Sequence, residues 1–401
     1  MQLIRGGYLK KNILIIHNYY KIPGGEDSVV KNEKRLLVSN GHHVFVYTRN
    51  NKELDNFTIL KKMLLPFTMI FNLRTYYEVK KIIKEQKIDI VHVHNTLLLI
   101  SPAVYYAAKK MKVPIVQTVH NFRLLCVGAT FYRNGKICEK CVKENPLVAV
   151  RYGCYRNNRF QTFACVMSML IHRHIGIYKK LNYICLTEFN KDKLLEFNQM
   201  NESNVYIKPN YVCNDNHKII PHIKRKNQVV YAGRLDELKG IEILFNAWIK
   251  CEKDNMTLIV CGTGPMENWC KKFIEHNGIT NVFLKGFVSN NDVKRIISES
   301  RALILPTQWY EGFPMSIVEA YSVGTPVIGS NMGNVGDIIV DKITGLLFDP
   351  KSEDELAEKI DQICDMALEE GVYNEYVNKY TEKENYKKLM NIYNSIYEKC
   401  R

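Results

Sequence analysis

No uninterrupted apolar stretch reaches the roughly 18 residues that a membrane-crossing helix needs. The opening M-Q-L-I-R-G-G-Y-L-K-K lacks the apolar segment of a secretory signal, and Ile13 to Ile16 is too short to supply one. Both absences point to a cytoplasmic chain, where its 12 cysteines would stay reduced. Acidic residues are scarce in the first 180 positions, with 10 Asp and Glu against 30 Lys and Arg. Residues 181–401 reverse the balance, 31 acidic against 26 basic, within a whole-chain net charge of +15. Two halves of opposite sign suggest two domains with different partners. The 401 residues, 46% hydrophobic, suffice for two cores in domains of about 200 residues each. A basic half suits nucleic acid or an anionic membrane surface. No helix-turn-helix, RNA-binding or zinc-finger spacing is present, so no nucleic-acid partner is expected.

What is present centres on Trp309 to Gly329, W-Y-E-G-F-P-M-S-I-V-E-A-Y-S-V-G-T-P-V-I-G. The short apolar run from Arg301 to Pro306 reads as a buried strand, and Pro326 to Gly329 reads as the next. Between them, Pro314 to about Val323 has helical spacing, with Pro314 suited to the first helical position. Glu311 then lies in the loop before the helix and Glu319 inside it, on one side of the helix. The free N–H groups and dipole at such a helix start favour an anion. In a parallel α/β sheet this is also where ligands bind. A phosphate-bearing ligand with hydroxyls fits: backbone amides for the phosphate, one carboxylate for sugar hydroxyls, the other for ribose.

Read in order, Asn12 to Ile16 is a strand. His17 to Gly25 is a loop in which Gly24 and Gly25 let backbone approach a ligand. Glu26 to Asn40 is a helix ended by Gly41. Residues 58–84 mix lysines with aliphatic and aromatic residues. They form either an interfacial membrane helix or a core helix with snorkelling lysines. His92 and His94 share one strand face. They are satisfied strand-end histidines or functional ones. His120 ends the strand Pro114-Ile-Val-Gln-Thr-Val-His120, where a ligand would bind.

An insertion near 123–156 carries Cys126, Cys138, Cys141 and Cys154. They would hold a structural zinc or stand as four unligated thiols. Residues 206–226 read as a linker. Gln228 to Gly240 then gives strand, tight loop and helix, with Arg234 and Lys239 bracketing the loop. Two cations at a strand end suit a pyrophosphate. Cys261-Gly-Thr-Gly-Pro265 fails as a dinucleotide fingerprint because position 267 is Glu.

Four ordered motifs resemble glycosyltransferase family 4, retaining enzymes of GT-B architecture: A-G-R-L-D-E-L-K-G, G-T-G-P, Val282 to Val288, and E-G-F-P with S-V-G-T-P-V-I. The type resembled is that of capsule, O-antigen and exopolysaccharide enzymes. The resemblance implies an α/β fold of two Rossmann-like domains facing each other across a deep cleft. Domain one (1–205) would bind the acceptor, with His17, Gly24 and Gly25 in its acceptor-side loop. Domain two (227–380) would bind a UDP- or GDP-linked sugar, and 381–401 would form a helix crossing back.

His120, Arg234, Lys239 and Glu311 would be catalytic. The donor would meet Gly233, Gly262, Gly264, Phe287, Val288, Gly312, Phe313, Met315, Ser316 and Glu319 as well. The D-x-D motif of the other common glycosyltransferase fold is absent, so no catalytic metal is expected. The implied function is hexosyl transfer to a glycan or lipid-linked acceptor at the inner face of the cell membrane. The alternative is a degenerate scaffold subunit of a transferase pair.

Overall fold

The computed structural model describes residues 8–22, 24–197, 200–213, 219–252 and 255–400. Pro23 of the expected P-G-G loop, the start of the N-terminal stretch and residues 214–218 of the expected linker lie outside the described residues. The chain divides into one unit made of 1–209 with 385–401, and a second made of 210–384.

In the first unit the strands are β1 (Asn12–Tyr19), β2 (His43–Asn50), β3 (Ile90–Asn95) and β4 (Ile115–Thr118). A small hairpin follows, β5 (Tyr132–Arg133) and β6 (Lys136–Ile137), then β7 (Asn182–Cys185) and β8 (Val205–Ile207). The main sheet is parallel, in the order β2-β1-β3-β4-β7-β8. Both faces of a parallel sheet are covered, which is why its strands read as continuous apolar runs. Ile13 to Ile16 and Ile90, Val91 and Val93 are all fully buried.

The second unit holds β9 (Gln228–Ala232), β10 (Thr257–Cys261), β11 (Val282–Gly286), β12 (Ala302–Leu305), β13 (Val327–Ser330) and β14 (Gly345–Phe348). They form a second parallel sheet in the order β11-β10-β9-β12-β13-β14. Chain order reverses beside β1 in the first sheet and beside β9 in the second. At such switch points the loops leaving adjacent strands splay apart and open a crevice at the strands' carboxyl ends.

The expected linker over 206–226 is split between the units. Val205–Ile207 pairs with β7, so the first sheet runs further than the polar composition suggests. Beyond Pro209 the chain is already tied to the second unit. Val212 N–H donates to the Tyr380 carbonyl at 3.2 Å, and Tyr376 OH donates to the Val212 carbonyl at 2.9 Å. Buried Arg225 donates to the carbonyls of Ile220, Ser300 and Gly324 at 2.9–3.0 Å. The helix Glu382–Lys399 belongs to the first unit from Asn385 onward.

The cysteine-bearing insertion is not a bare loop. It contributes Val127, Cys141, Ala149 and Tyr155 to a buried cluster with Met69, Leu98 and Leu99 and with Ala164, Cys165 and Val166 of the helix Arg159–Ile175.

Candidate active site

In the second unit the loops after β9 and β12 flank the switch point. Gly233 N–H donates to the Cys261 carbonyl at 3.0 Å. The Arg234 side chain is 67% exposed, its Nε 3.3 Å from Asp236 Oδ2. Asp236 caps the short turn Glu237–Lys239 by accepting from Lys239 N–H at 3.1 Å. The turn delivers Lys239 Nζ to Glu311 Oε1 at 2.7 Å. That oxygen also accepts from Thr307 Oγ1 at 3.1 Å and Trp309 Nε1 at 3.0 Å. Asn334 Nδ2 donates to the carbonyls of Glu311 and Gly312. The carboxylate of Glu311, a buried residue, is therefore located from three directions. Its Oε2 accepts no hydrogen bond among the described residues.

Two glycines let these loops close by bare backbone. Gly262 has φ +143°, and a Cβ there would stand 1.8 Å from the Gly233 carbonyl oxygen. Gly240 has φ +71°, and a Cβ there would stand 1.7 Å from the Pro306 oxygen. Any side chain would drive the Arg234 loop away from its neighbours. Gly264 lies against the Leu235 backbone in the same loop stack. Glycines expected to face the donor thus act first on loop packing.

The helix after Glu311 runs Met315–Ser322, with Pro314 as its N-cap at ψ 92° and not as its first turn. Phe313, Met315 and Ser316 are half-buried at its start. Glu319 is half-buried within it, and burial raises its pKa. Phe287 stands 84% exposed just past β11, with Val288 half-buried beside it.

In the first unit, His17 does not lie in a loop. Pairing of His17, Asn18 and Tyr19 with Thr48, Arg49 and Asn50 carries β1 on to Tyr19. His17 is fully buried, its Nε2 2.8 Å from Asp27 Oδ1. Gly24 caps the helix Gly25–Ser39, and its N–H donates to Asp27 Oδ2 at 3.1 Å. No atom lies within 4 Å of a Cβ built on Gly24 or Gly25, so the space above both stays open.

His120 follows β4 and is half-buried. Its Nε2 lies 2.9 Å from His94 Nδ1, and the rings stack at 5.2 Å. Burial, then the neighbouring His94 and His17, holds its pKa well below the ordinary histidine range. It lines a pocket of about 100 Å³ with His94, Asn121, Arg123, Gln117 and Tyr105.

Residues 214–384 match the family model of glycosyl transferases group 1, and residues 23–212 match that of glycosyltransferase family 4. The chain carries both halves of a GT-B glycosyltransferase. The uncharacterized glycosyltransferase MJ1607 of Methanocaldococcus jannaschii is 30% identical over 166 residues, 41% of each chain, so that match spans under half of either. An uncharacterized 41.2 kDa protein of the cps region of Klebsiella pneumoniae is 24% identical over 86% of this chain and 89% of that one. Anabaena Alr3699/HepE, solved in complex with UDP, shares the fold at TM-score 0.66 and 15% identity, over 96% of this chain and 100% of that one.

Three acidic residues of this glycosyltransferase escape sequence reasoning, because all sit in an ordinary amphipathic helix pattern. Asp27 holds His17. Glu26 accepts from Tyr20 OH at 3.0 Å and from Asn121 Nδ2 at 3.4 Å, while its Oε1 is buried without a hydrogen-bond partner. Burial pushes the Glu26 carboxyl up to about 8. Glu33, almost wholly buried, pairs with Lys208 Nζ at 3.0 Å.

Among the described residues, Glu33, His92 and His94 are the set whose ligand atoms all lie within 4.8 Å of one another. The Lys208 ammonium already occupies the carboxylate there, which opposes a metal ion. The four cysteines do not reach that spacing. Cys126 and Cys141 nevertheless face each other: the Cys141 thiol donates to Cys126 and lowers its pKa.

Proposed function

We propose that the chain transfers a hexosyl group from a UDP- or GDP-linked sugar to a glycan or lipid-linked acceptor, with retention at the anomeric carbon, in cell-surface polysaccharide synthesis. The observation that carries this reading is Glu311. One carboxylate oxygen is held by Lys239, Thr307 and Trp309, and the other is left to accept a sugar hydroxyl. The bond from the anomeric carbon to the leaving phosphate breaks, the bond to the acceptor oxygen forms on the same face, and the acceptor's proton passes to that phosphate.

Arg234 and Lys239 offset the charge that grows on the leaving diphosphate. The amides near Gly312 to Met315 add to this. Glu319 takes ribose hydroxyls, and exposed Phe287 lies beside the base. His120 meets the sugar, while Gly24 and Gly25 border the acceptor. HepE holding UDP, and the cps-region relative, support the donor and the pathway class.

The test is transfer from radiolabelled UDP and GDP sugars to lipid extracts, with a thermal-shift panel of the nucleotides. A ligand at 100 times its Kd adds about 2.7 kcal/mol of stability. Turnover with one nucleotide family supports the reading. No shift and no turnover in a folded sample leaves the scaffold alternative.

A lipid-linked acceptor fits the surface of the first unit. The helix Ile59–Ile70 exposes Ile59, Leu60, Met63, Leu64 and Phe67, and buries only Met69. Phe160 and Phe163 are exposed on the neighbouring helix Arg159–Ile175. Lys61, Lys62, Arg156 and Arg159 lie among them, which suits anionic lipid. No helix of the described residues is long and apolar enough to cross a membrane, so attachment would be peripheral. A structural zinc would need the four insertion cysteines drawn closer together. One zinc per purified chain by metal analysis supports that site, and none removes it.

A further inference from the structure

His92 and His94 stack at 4.4 Å on β3, both buried. The carboxylate of Glu33 reaches them from the helix Gly25–Ser39. Its Oε1 lies 2.9 Å from His92 Nδ1 and 3.4 Å from His94 Nε2, and its Oε2 faces Lys208. His92 is engaged at both nitrogens, with Tyr393 OH and Thr118 Oγ1 each at 2.7 Å. His94 Nε2 and Glu33 Oε1 are both buried, neither closes a hydrogen bond of good geometry, and they face each other at 3.4 Å. Burial alone would raise the Glu33 carboxyl, but Lys208 and His92 outweigh it and hold it ionised.

An anionic carboxylate fixes the tautomers. A ring lone pair aimed at it in a buried site would be repulsive, so His94 must turn Nε2–H toward Glu33. Its Nδ1 then carries only a lone pair. The group 2.9 Å away, His120 Nε2, must carry the hydrogen. That leaves His120 Nδ1 as an acceptor, on a ring that lines the pocket with Asn121 and Arg123.

We infer that Glu33 is a positioning residue that acts through His94 to present His120 to the donor sugar as a hydrogen-bond acceptor at Nδ1. The sugar group met there must be a hydroxyl that donates. This rests on the transferase reading for its sugar, whereas the tautomer itself exists without any ligand.

The experiment is ¹⁵N–¹H NMR of the His120 ring in the full chain without ligand, beside kinetics with the active donor. Wild type should show His120 protonated at Nε2. His94→Asn places an amide oxygen near the lost Nδ1 and should keep that state. His94→Leu removes the acceptor and should give a mixture of tautomers. Neither variant touches Lys208, so both leave the buried ion pair intact.

In turnover, His94→Leu and the isosteric Glu33→Gln should each lower kcat about tenfold or more with little change in donor KM. His94→Asn should recover most of the loss. An unchanged His120 tautomer in His94→Leu overturns the inference, as does equal loss in the Asn and Leu variants. A wild-type protein that transfers nothing, yet shows these tautomers, overturns the transferase reading and leaves only the tautomer relay from Glu33 through His94 to His120.

Discussion

Lys239 Nζ and Glu311 Oε1 meet at 2.7 Å across two loops separated by 72 residues. Each locates the other, so their substitutions are coupled. Lys239→Ala and Glu311→Gln are each expected to cut kcat by about a hundredfold or more. The double variant should lose much less than the product of the two. Steady-state sugar transfer, with circular dichroism to confirm folding, measures the cycle.

Arg234 behaves differently because its side chain is two-thirds exposed. Arg234→Ala should change stability by no more than about 0.5 kcal/mol. It should still reduce turnover strongly, because the lost charge faces the leaving phosphate. Urea unfolding and donor kinetics on one sample separate the two effects.

Several buried histidines resist protonation. Burial lowers His42 to about 4 and His94 to about 3, and lowers His17 and His120 too. In the unfolded chain each titrates near 6.5, so below that pH the unfolded state binds more protons than the folded one. Stability should therefore fall as pH drops from about 6.5 toward 4. Chemical denaturation across that range checks it.

Glu26 works in the opposite sense. Its unfolded value near 4.5 rises to about 8 in the fold, where Tyr20, Arg123, Asp27, His17 and Asn121 surround it. The folded state keeps the proton longer, so stability from this group is present at low pH and is lost as pH rises through about 8. Glu26→Gln should flatten stability between about pH 4.5 and about pH 8, where the folded chain alone holds this proton. A slope unchanged from wild type would place the titration elsewhere.

At the exposed helix Ile59–Ile70, Leu60→Glu with Phe67→Glu should release the chain from vesicles containing phosphatidylglycerol. The fold should be untouched, since both side chains are more than 60% exposed. Binding should also weaken with added salt. Flotation with and without salt, against neutral phosphatidylcholine vesicles, reads both.

The donor-side loops are legible in sequence because their chemistry is local. Gly240, Glu311 and Pro314 punctuate strand–loop–helix transitions within a few residues. The acceptor side is less legible for a geometric reason. Glu33 lies in V-V-K-N-E-K-R, where charged residues normally face water, and nothing nearby reports its burial. Its partners His92, His94 and Lys208 come from two distant segments. His17 reads as loop in sequence because the apolar run stops at Ile16, whereas pairing with β2 carries the strand on to Tyr19.

The chain leaves the first unit at Pro209 and returns at Asn385, and these points are tied together. Asn385 Nδ2 donates to the Pro209 carbonyl at 2.6 Å, and its Oδ1 accepts from Lys208 at 3.2 Å. Tyr393, on the same returning helix, covers His92. During synthesis the ribosome delivers the Glu33–Lys208 pair long before Asn385 and Tyr393 exist. The half-made domain must therefore hold a charged, uncovered interior while the whole second domain emerges and folds. That interval is when a chaperone would have most to shelter.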